Sequence, residues 1–136
     1  MNYWLMKSEP SVYSWDDLNR DKKATWDGVR NFQARNNLKA MKKGDLVFIY
    51  HSNEGKEIVG IAKVTKEAYP DPKDKAWTVV DIAPEKKLKT PISLAQVKAD
   101  KRLTTMALVK AMRLSVQPVK EEEWDLVIAL SEGKAK

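Results

Sequence analysis

His51 is the only histidine of the chain, and cysteine is absent. Disulfides, thiolate metal sites and thiol nucleophiles are therefore excluded, as is any metal site built on several imidazoles. A serine triad would have one available base, His51, which follows an apolar run and precedes Ser52. A lone histidine at a strand end more often serves as a structural hydrogen-bonding group than as a general base. Asp16/Asp17 and Asp71/Asp74 are carboxylate pairs. The first stands at a helix start and the second in a proline-rich loop, so a cap and a solvated loop explain both. The five glycines form neither G-x-x-x-x-G-K nor G-x-G-x-x-G. No catalytic constellation, cofactor or metal site is expected.

Binding chemistry is easier to locate. Lys7-Ser8-Glu9-Pro10 and Trp26-Asp27-Gly28-Val29-Arg30-Asn31 each set small polar groups and a cation beside an aromatic. Five tryptophans occur in so short a chain. A core tryptophan usually belongs to a periodic apolar stripe, as Trp124 does. Trp26 has no such stripe around it, so it is the tryptophan best suited to face a ligand. The competing role is a plug at one end of a barrel.

These residues must be held by the elements around them. Tyr3-Trp4-Leu5-Met6 reads as a strand buried on both faces and ended by Pro10. Ser14 caps a helical turn over Trp15-Asp16-Asp17-Leu18. Thr25 to Arg30 lacks a period and contains Gly28, which predicts a loop. Asn31 to Met41 reads as a helix with Ala34, Leu38 and Met41 on one face. Asp45 to Tyr50 is a strand buried on both sides, and Asn53-Glu54-Gly55 turns it into a return strand over Glu57 to Lys66. That strand puts Ile58, Gly60, Ala62 and Val64 on one face, Val59 and Ile61 on the other. Gly60 within it predicts a bend or a close backbone approach. Tyr69-Pro70-Asp71-Pro72 reads as a stiff loop, Trp77 to Ile82 as a strand and Leu88 to Ile92 as a fifth. Ser93-Leu94-Ala95-Gln96 is a capping box. Thr105 to Met112 reads as helical, Leu114, Val116 and Val119 as a final strand. Glu121-Glu122-Glu123 opens the last helix, with Trp124, Val127 and Ile128 as its stripe. The tail after Leu130 reads as loose.

Hairpin-linked strands with short helices between them predict an α+β fold, a small curved sheet or barrel with peripheral helices, in one domain over 1–136. The formal charge is +6 and the pI about 9.4, with the basic excess spread over both halves. A basic face fits nucleic acid as a partner, although so modest an excess also serves solubility alone. No apolar run approaches the roughly 20 residues of a membrane span. The opening Met1-Asn2-Tyr3-Trp4 shows no basic-then-apolar signal. No membrane partner is expected, and the expected compartment is the cytoplasm in a bacterium, with the nucleus open in a eukaryote.

Seven blocks in order resemble the EVE domain: Tyr3 to Pro10, Trp26 to Asn31, Gln33-Ala34-Arg35-Asn36, Lys43-Gly44-Asp45, Tyr50-His51-Ser52-Asn53, Tyr69-Pro70-Asp71-Pro72 and Arg113 to Val119. The resemblance runs from Asn2 to about Leu130. One departure is Lys120, where a Ser or Thr cap is expected. The resemblance implies a PUA-like pseudo-barrel related to the YTH domains that read methylated adenine in RNA. It implies a non-catalytic module that reads a modified base, chiefly modified cytosine in DNA. By position it makes Trp26 one wall of an aromatic pocket, Ser8 and Asn31 donors or acceptors for the base edge, and Ser52 the floor. Tyr69 becomes the candidate for the opposing wall. Lys7, Arg30 and Arg35 are candidates for phosphate contacts, or else solvated or ion-paired charges; Arg30 has Asp27 as a possible partner. Two rival functions are an RNA-binding module indifferent to modification and a PUA-like ribonuclease.

Overall fold

Alternating apolar residues decide where the strands lie. In a computed structural model describing residues 1–134, one strand after another places neighbouring side chains into two different cores. The strands are β1 (Tyr3–Ser8), β2 (Ala24–Trp26), β3 (Leu46–His51), β4 (Glu57–Asp71), β5 (Asp74–Ser93) and β6 (Val116–Val119). They form one mixed sheet in the order β2-β5-β4-β3-β1-β6. β1 runs parallel to β3, with Leu5 opposite Phe48, and every other pairing is antiparallel. The class is α+β, as the sequence predicts.

The central strand β3 has Val47, Phe48, Ile49 and Tyr50 all buried. Val47 and Ile49 join Trp4 and Met6 of β1, Val80 and Ile82 of β5 and Val116 of β6 in the first core. Phe48 and Tyr50 join Leu5, Ile58, Ile92 and Trp124 in the second. The first core is covered by α1 (Trp15–Asp21) and α2 (Phe32–Ala40) through Trp15, Leu18, Ala34 and Leu38. The second is covered by α3 (Leu94–Ala99), α4 (Ala107–Lys110) and α5 (Glu121–Ser131). Because the first core takes side chains from β1, β3, β4, β5 and β6, with Ala24 and Trp26 of β2 against it, the sheet wraps around it. Helix α2 packs on β4, β5 and β6, and Asn37 donates to the Val116 carbonyl at 2.7 Å.

The caps follow the sequence. Ser14 and Ser93 each close a reciprocal capping box, and Asn31 accepts from the Ala34 N–H at 2.9 Å. At the start of α5, the Glu123 carboxylate accepts the Lys120 N–H at 3.0 Å, which satisfies one backbone donor without a Ser or Thr at the cap. Asp45 is buried and its carboxylate accepts from Asn2 N, Trp4 Nε1 and Lys42 N.

Several boundaries differ from expectation. Ala24–Trp26 is a strand rather than loop, pairing Trp26 with Val80 of β5. Tyr69, Pro70 and Asp71 belong to β4 rather than to a loop. On the β3 side β4 is bonded only as far as Val64, so beyond it that side needs no N–H donor and Pro70 is tolerated. Leu88 to Ile92 is the far half of β5, whose alternation is interrupted by register shifts. The faces of β4 also differ. Ile58 and Ile61 enter the second core, Val59, Ala62 and Val64 the first. Register shifts flanking Gly60 turn the strand over at that point. The helix expected over Thr105 to Met112 shrinks to α4. Ser131, expected in the loose tail, ends α5 instead, where its hydroxyl donates to Thr90 O and accepts from Thr90 N. Ala135 and Lys136, also part of that expected tail, lie outside the described residues.

Candidate functional site

The close approach predicted at Gly60 is made by Trp15. A Cβ there would lie 2.6 Å from Trp15 Cη2 and 2.7 Å from Cδ2 and Cε2, so the indole lies over the bare backbone of β4. The Trp15 N–H donates to His51 Nε2 at 3.0 Å. Burial lowers the His51 pKa below 6.5, against the opposing pull of Glu57 and Asp16. A neutral imidazole has one acceptor nitrogen, and here it is taken by a backbone donor. His51 thus has the structural engagement expected of it. Together, Gly60 and His51 pin the start of α1 to the sheet.

The segment ahead of α1, residues 9–14, then forms one side of a cleft of about 740 Å³. The end of β1 supplies Lys7 and Ser8, and β2 with the turn after it supplies Trp26 and Arg30 on the other side. Gly28 sits in that turn at φ +76°, a conformation glycine adopts without strain. The volume lies within the roughly 300–1,000 Å³ usual for small-ligand pockets. Trp26 is partly buried, one part against the first core and another lining the cleft. Tyr13 approaches it edge-on, at 6.4 Å between centroids and 80° between planes. The two rings therefore offer a face and an edge rather than two parallel plates.

Polar groups converge on the same space. The Ser8 hydroxyl donates to the Tyr13 carbonyl, which ties β1 to the cleft's rim and leaves the oxygen free to accept. The Tyr13 hydroxyl donates to Asp21 Oδ2 at 2.9 Å. Burial first, and then that carboxylate, push the Tyr13 pKa up to about 12, so the phenol stays protonated. Lys7 is half-buried, with its ammonium on the Met112 carbonyl and 6.0 Å from the Tyr50 ring. Burial lowers its pKa from the usual lysine value. Arg30 donates to its own Val29 carbonyl and lies 3.8 Å from the buried Asp71 carboxylate. Asp71, rather than Asp27, is its ion-pair partner.

The structure thus brings Trp26, Ser8, Lys7 and Arg30 to one cleft, and leaves four other candidates outside its lining. Asn31 caps α2 and borders a smaller depression of about 430 Å³. Ser52 stands behind Ser8, donating its N–H to the Ser8 carbonyl at 2.9 Å. Tyr69 lies in the far half of β4, opposite Val79, and donates to Asp81 Oδ1 at 2.6 Å. Arg35 lies over the Phe32 and Trp77 rings and donates to the Ala76 carbonyl. The aromatic beside Trp26 is Tyr13, which the sequence did not mark. Its one signal was position, immediately before the Ser14 cap that fixes where the segment turns.

Among the described residues no group of three or more metal-ligating side chains occurs, and no helix is long and apolar enough to cross a membrane. The EVE domain family model matches residues 2–130. Mouse thymocyte nuclear protein 1 is 40% identical over 167 residues, spanning 96% of this chain and 74% of the mouse protein. Rpa0253 of Rhodopseudomonas palustris has a solved structure that superposes with a TM-score of 0.94 at 53% identity, covering 100% of this chain and 97% of that one. Human THYN1 protein, solved in complex with DNA containing 5-methylcytosine, superposes with a TM-score of 0.90 at 36% identity, covering 97% of this chain and 98% of that one.

Proposed function

The chain belongs to the EVE domain family, and from that premise we propose that it is a non-catalytic module that binds nucleic acid and takes a modified base, 5-methylcytosine in DNA first, into the cleft beside Trp26. One observation carries this reading: a relative that superposes over nearly the whole chain was solved with DNA containing that base. The cleft adds chemical support. Trp26 gives a face on which an extruded base can stack, and Tyr13 closes one edge. Ser8 offers an acceptor, while Lys7 and Arg30 bring positive charge to the lining. Asn31, Ser52 and Tyr69 act from behind, by holding α2, β1 and β4 in place.

Extruding a base costs a few kcal/mol, and stacking returns about 1–3 kcal/mol of it. A buried methyl adds on the order of 1 kcal/mol. The module therefore prefers the modified base without excluding the plain one. No general base faces the cleft from His51, whose acceptor nitrogen is engaged.

The test compares Trp26→Ala with the parent on duplexes that differ only in one central 5-methylcytosine, using fluorescence anisotropy over a salt series and structured RNA as competitor. The variant should lose the methyl preference and keep the salt-dependent background, whose log–log slope is roughly −0.9 per phosphate contacted. A folded variant that still prefers the methylated duplex removes Trp26 from the site. A parent with no preference, or one that RNA displaces at far lower concentration than DNA, overturns the reading.

A further inference from the structure

Phe32 is 65% exposed although it opens a helix whose other large apolar side chain, Leu38, is buried. It is stacked on Trp77 of β5, 5.4 Å between centroids and 22° between planes. The Arg35 guanidinium lies 4.8 Å from the Phe32 centroid and 5.5 Å from that of Trp77. Arg30 lies 5.3 Å from Trp77 on the cleft's side of the cluster. Two elements far apart in sequence, the start of α2 and the strand after the β4–β5 turn, thus build one aromatic surface with two cations on it.

We propose that this Phe32–Trp77–Arg35 surface is a second nucleic-acid contact, a platform that covers the exposed face of a base flanking the one taken into the cleft. The proposal rests on the reading of the cleft given above. Three observations favour this occupant. Arg30 belongs to both places, lining the cleft and covering Trp77, so the surface is continuous with the site. Charge is one-sided: among the described residues Arg35 makes no ion pair, and Arg30 has only Asp71 at 3.8 Å. A flat ring beside a guanidinium that faces no carboxylate, as at Arg35, suits a base beside a phosphate, whose face and charge alternate at the same scale. Extruding one base from a duplex also leaves its neighbours with an open face, which an aromatic platform can cover.

Phe32→Ala tests this, with Phe32→Tyr as the variant that keeps the stack. The probes are a duplex with one central 5-methylcytosine, the same duplex unmodified, and 5-methyldeoxycytidine as free nucleoside. Phe32→Ala should weaken both duplexes by a common factor of roughly 5- to 150-fold, leave their ratio unchanged and leave nucleoside binding unchanged. Phe32→Tyr should restore the parent's affinity, and Phe32→Ala should lower the melting temperature by no more than about 2–6 °C, the loss of one largely exposed stack. Parent-like affinity of Phe32→Ala for both duplexes overturns the proposal. So does a loss confined to the methylated duplex or to the nucleoside, which would put Phe32 inside the cleft. If the parent shows no methyl preference and Phe32→Ala still weakens both duplexes, the platform stands and the reading of the cleft falls.

Discussion

Replacing Gly60 with alanine adds a single methyl group at the point where α1 is pinned to the sheet. The new carbon would stand 2.6–2.7 Å from three atoms of the Trp15 ring, about 1 Å inside ordinary contact. The indole has little room to retreat. Trp15 is 3% exposed, its backbone N–H is held by His51, and Ser14 fixes the turn before it. Overpacking of this kind costs about 1–3 kcal/mol. Removing a glycine from a strand returns about 0.4–1 kcal/mol by restricting the unfolded chain. The net loss should be about 1–2 kcal/mol, a fall in Tm of roughly 3–8 °C for a domain of this size. Urea titration should show a lower midpoint at unchanged slope. Trp15→Leu in the Gly60→Ala background should cost less than the two single losses added, since both act on one contact. A Gly60→Ala variant as stable as the parent, or losses that simply add, would refute the idea that the indole is locked against the strand.

Two further effects can be measured on the same protein. Phe48 is fully buried and stacked on Trp124 at 3.7 Å and 14°, so Phe48→Ala should cost about 3–5 kcal/mol in urea titration; parent-like melting would make β3 peripheral. The His51 pKa lies below 6.5 in the fold because of burial, so the unfolded chain binds the proton more readily. Its contribution is complete above pH 6.5 and fades as pH falls through the lower folded value, so the parent should lose stability between pH 7.5 and 5.5 while His51→Asn loses less. An equal loss in both would show that other groups carry the dependence.

The sequence reveals elements wherever one residue type has a single physical use. Phe48 and Ile49 sit in a run without polar residues, and only a doubly covered strand accommodates that. Ser14, Asn31 and Ser93 precede their helices with side chains that can bond a free N–H, and all three do so. Trp26 stands apart from any stripe, and it does line a cleft. What was hidden depends on partners distant in the chain. Ala24–Trp26 is too short to show a period, and it is a strand only because β5 lies beside it. Ile58 and Gly60, expected on one face, fall on opposite faces at register shifts that involve both neighbouring strands. Phe32 and Trp77 are 45 positions apart, and nothing local distinguishes their stack from two unrelated surface rings.

The parallel pairing of β1 with β3 bears on when the cleft comes into existence. The β3–β4–β5 meander closes through short turns, whereas β1 reaches β3 only after residues 9–45 have been looped out. Contacts that close a long loop pay their entropy before they are rewarded, and they tend to form after local hairpins. That loop is the same stretch that carries the cleft's walls, from Glu9 to Arg30. The cleft therefore depends on long-range closure and is not completed by the meander alone.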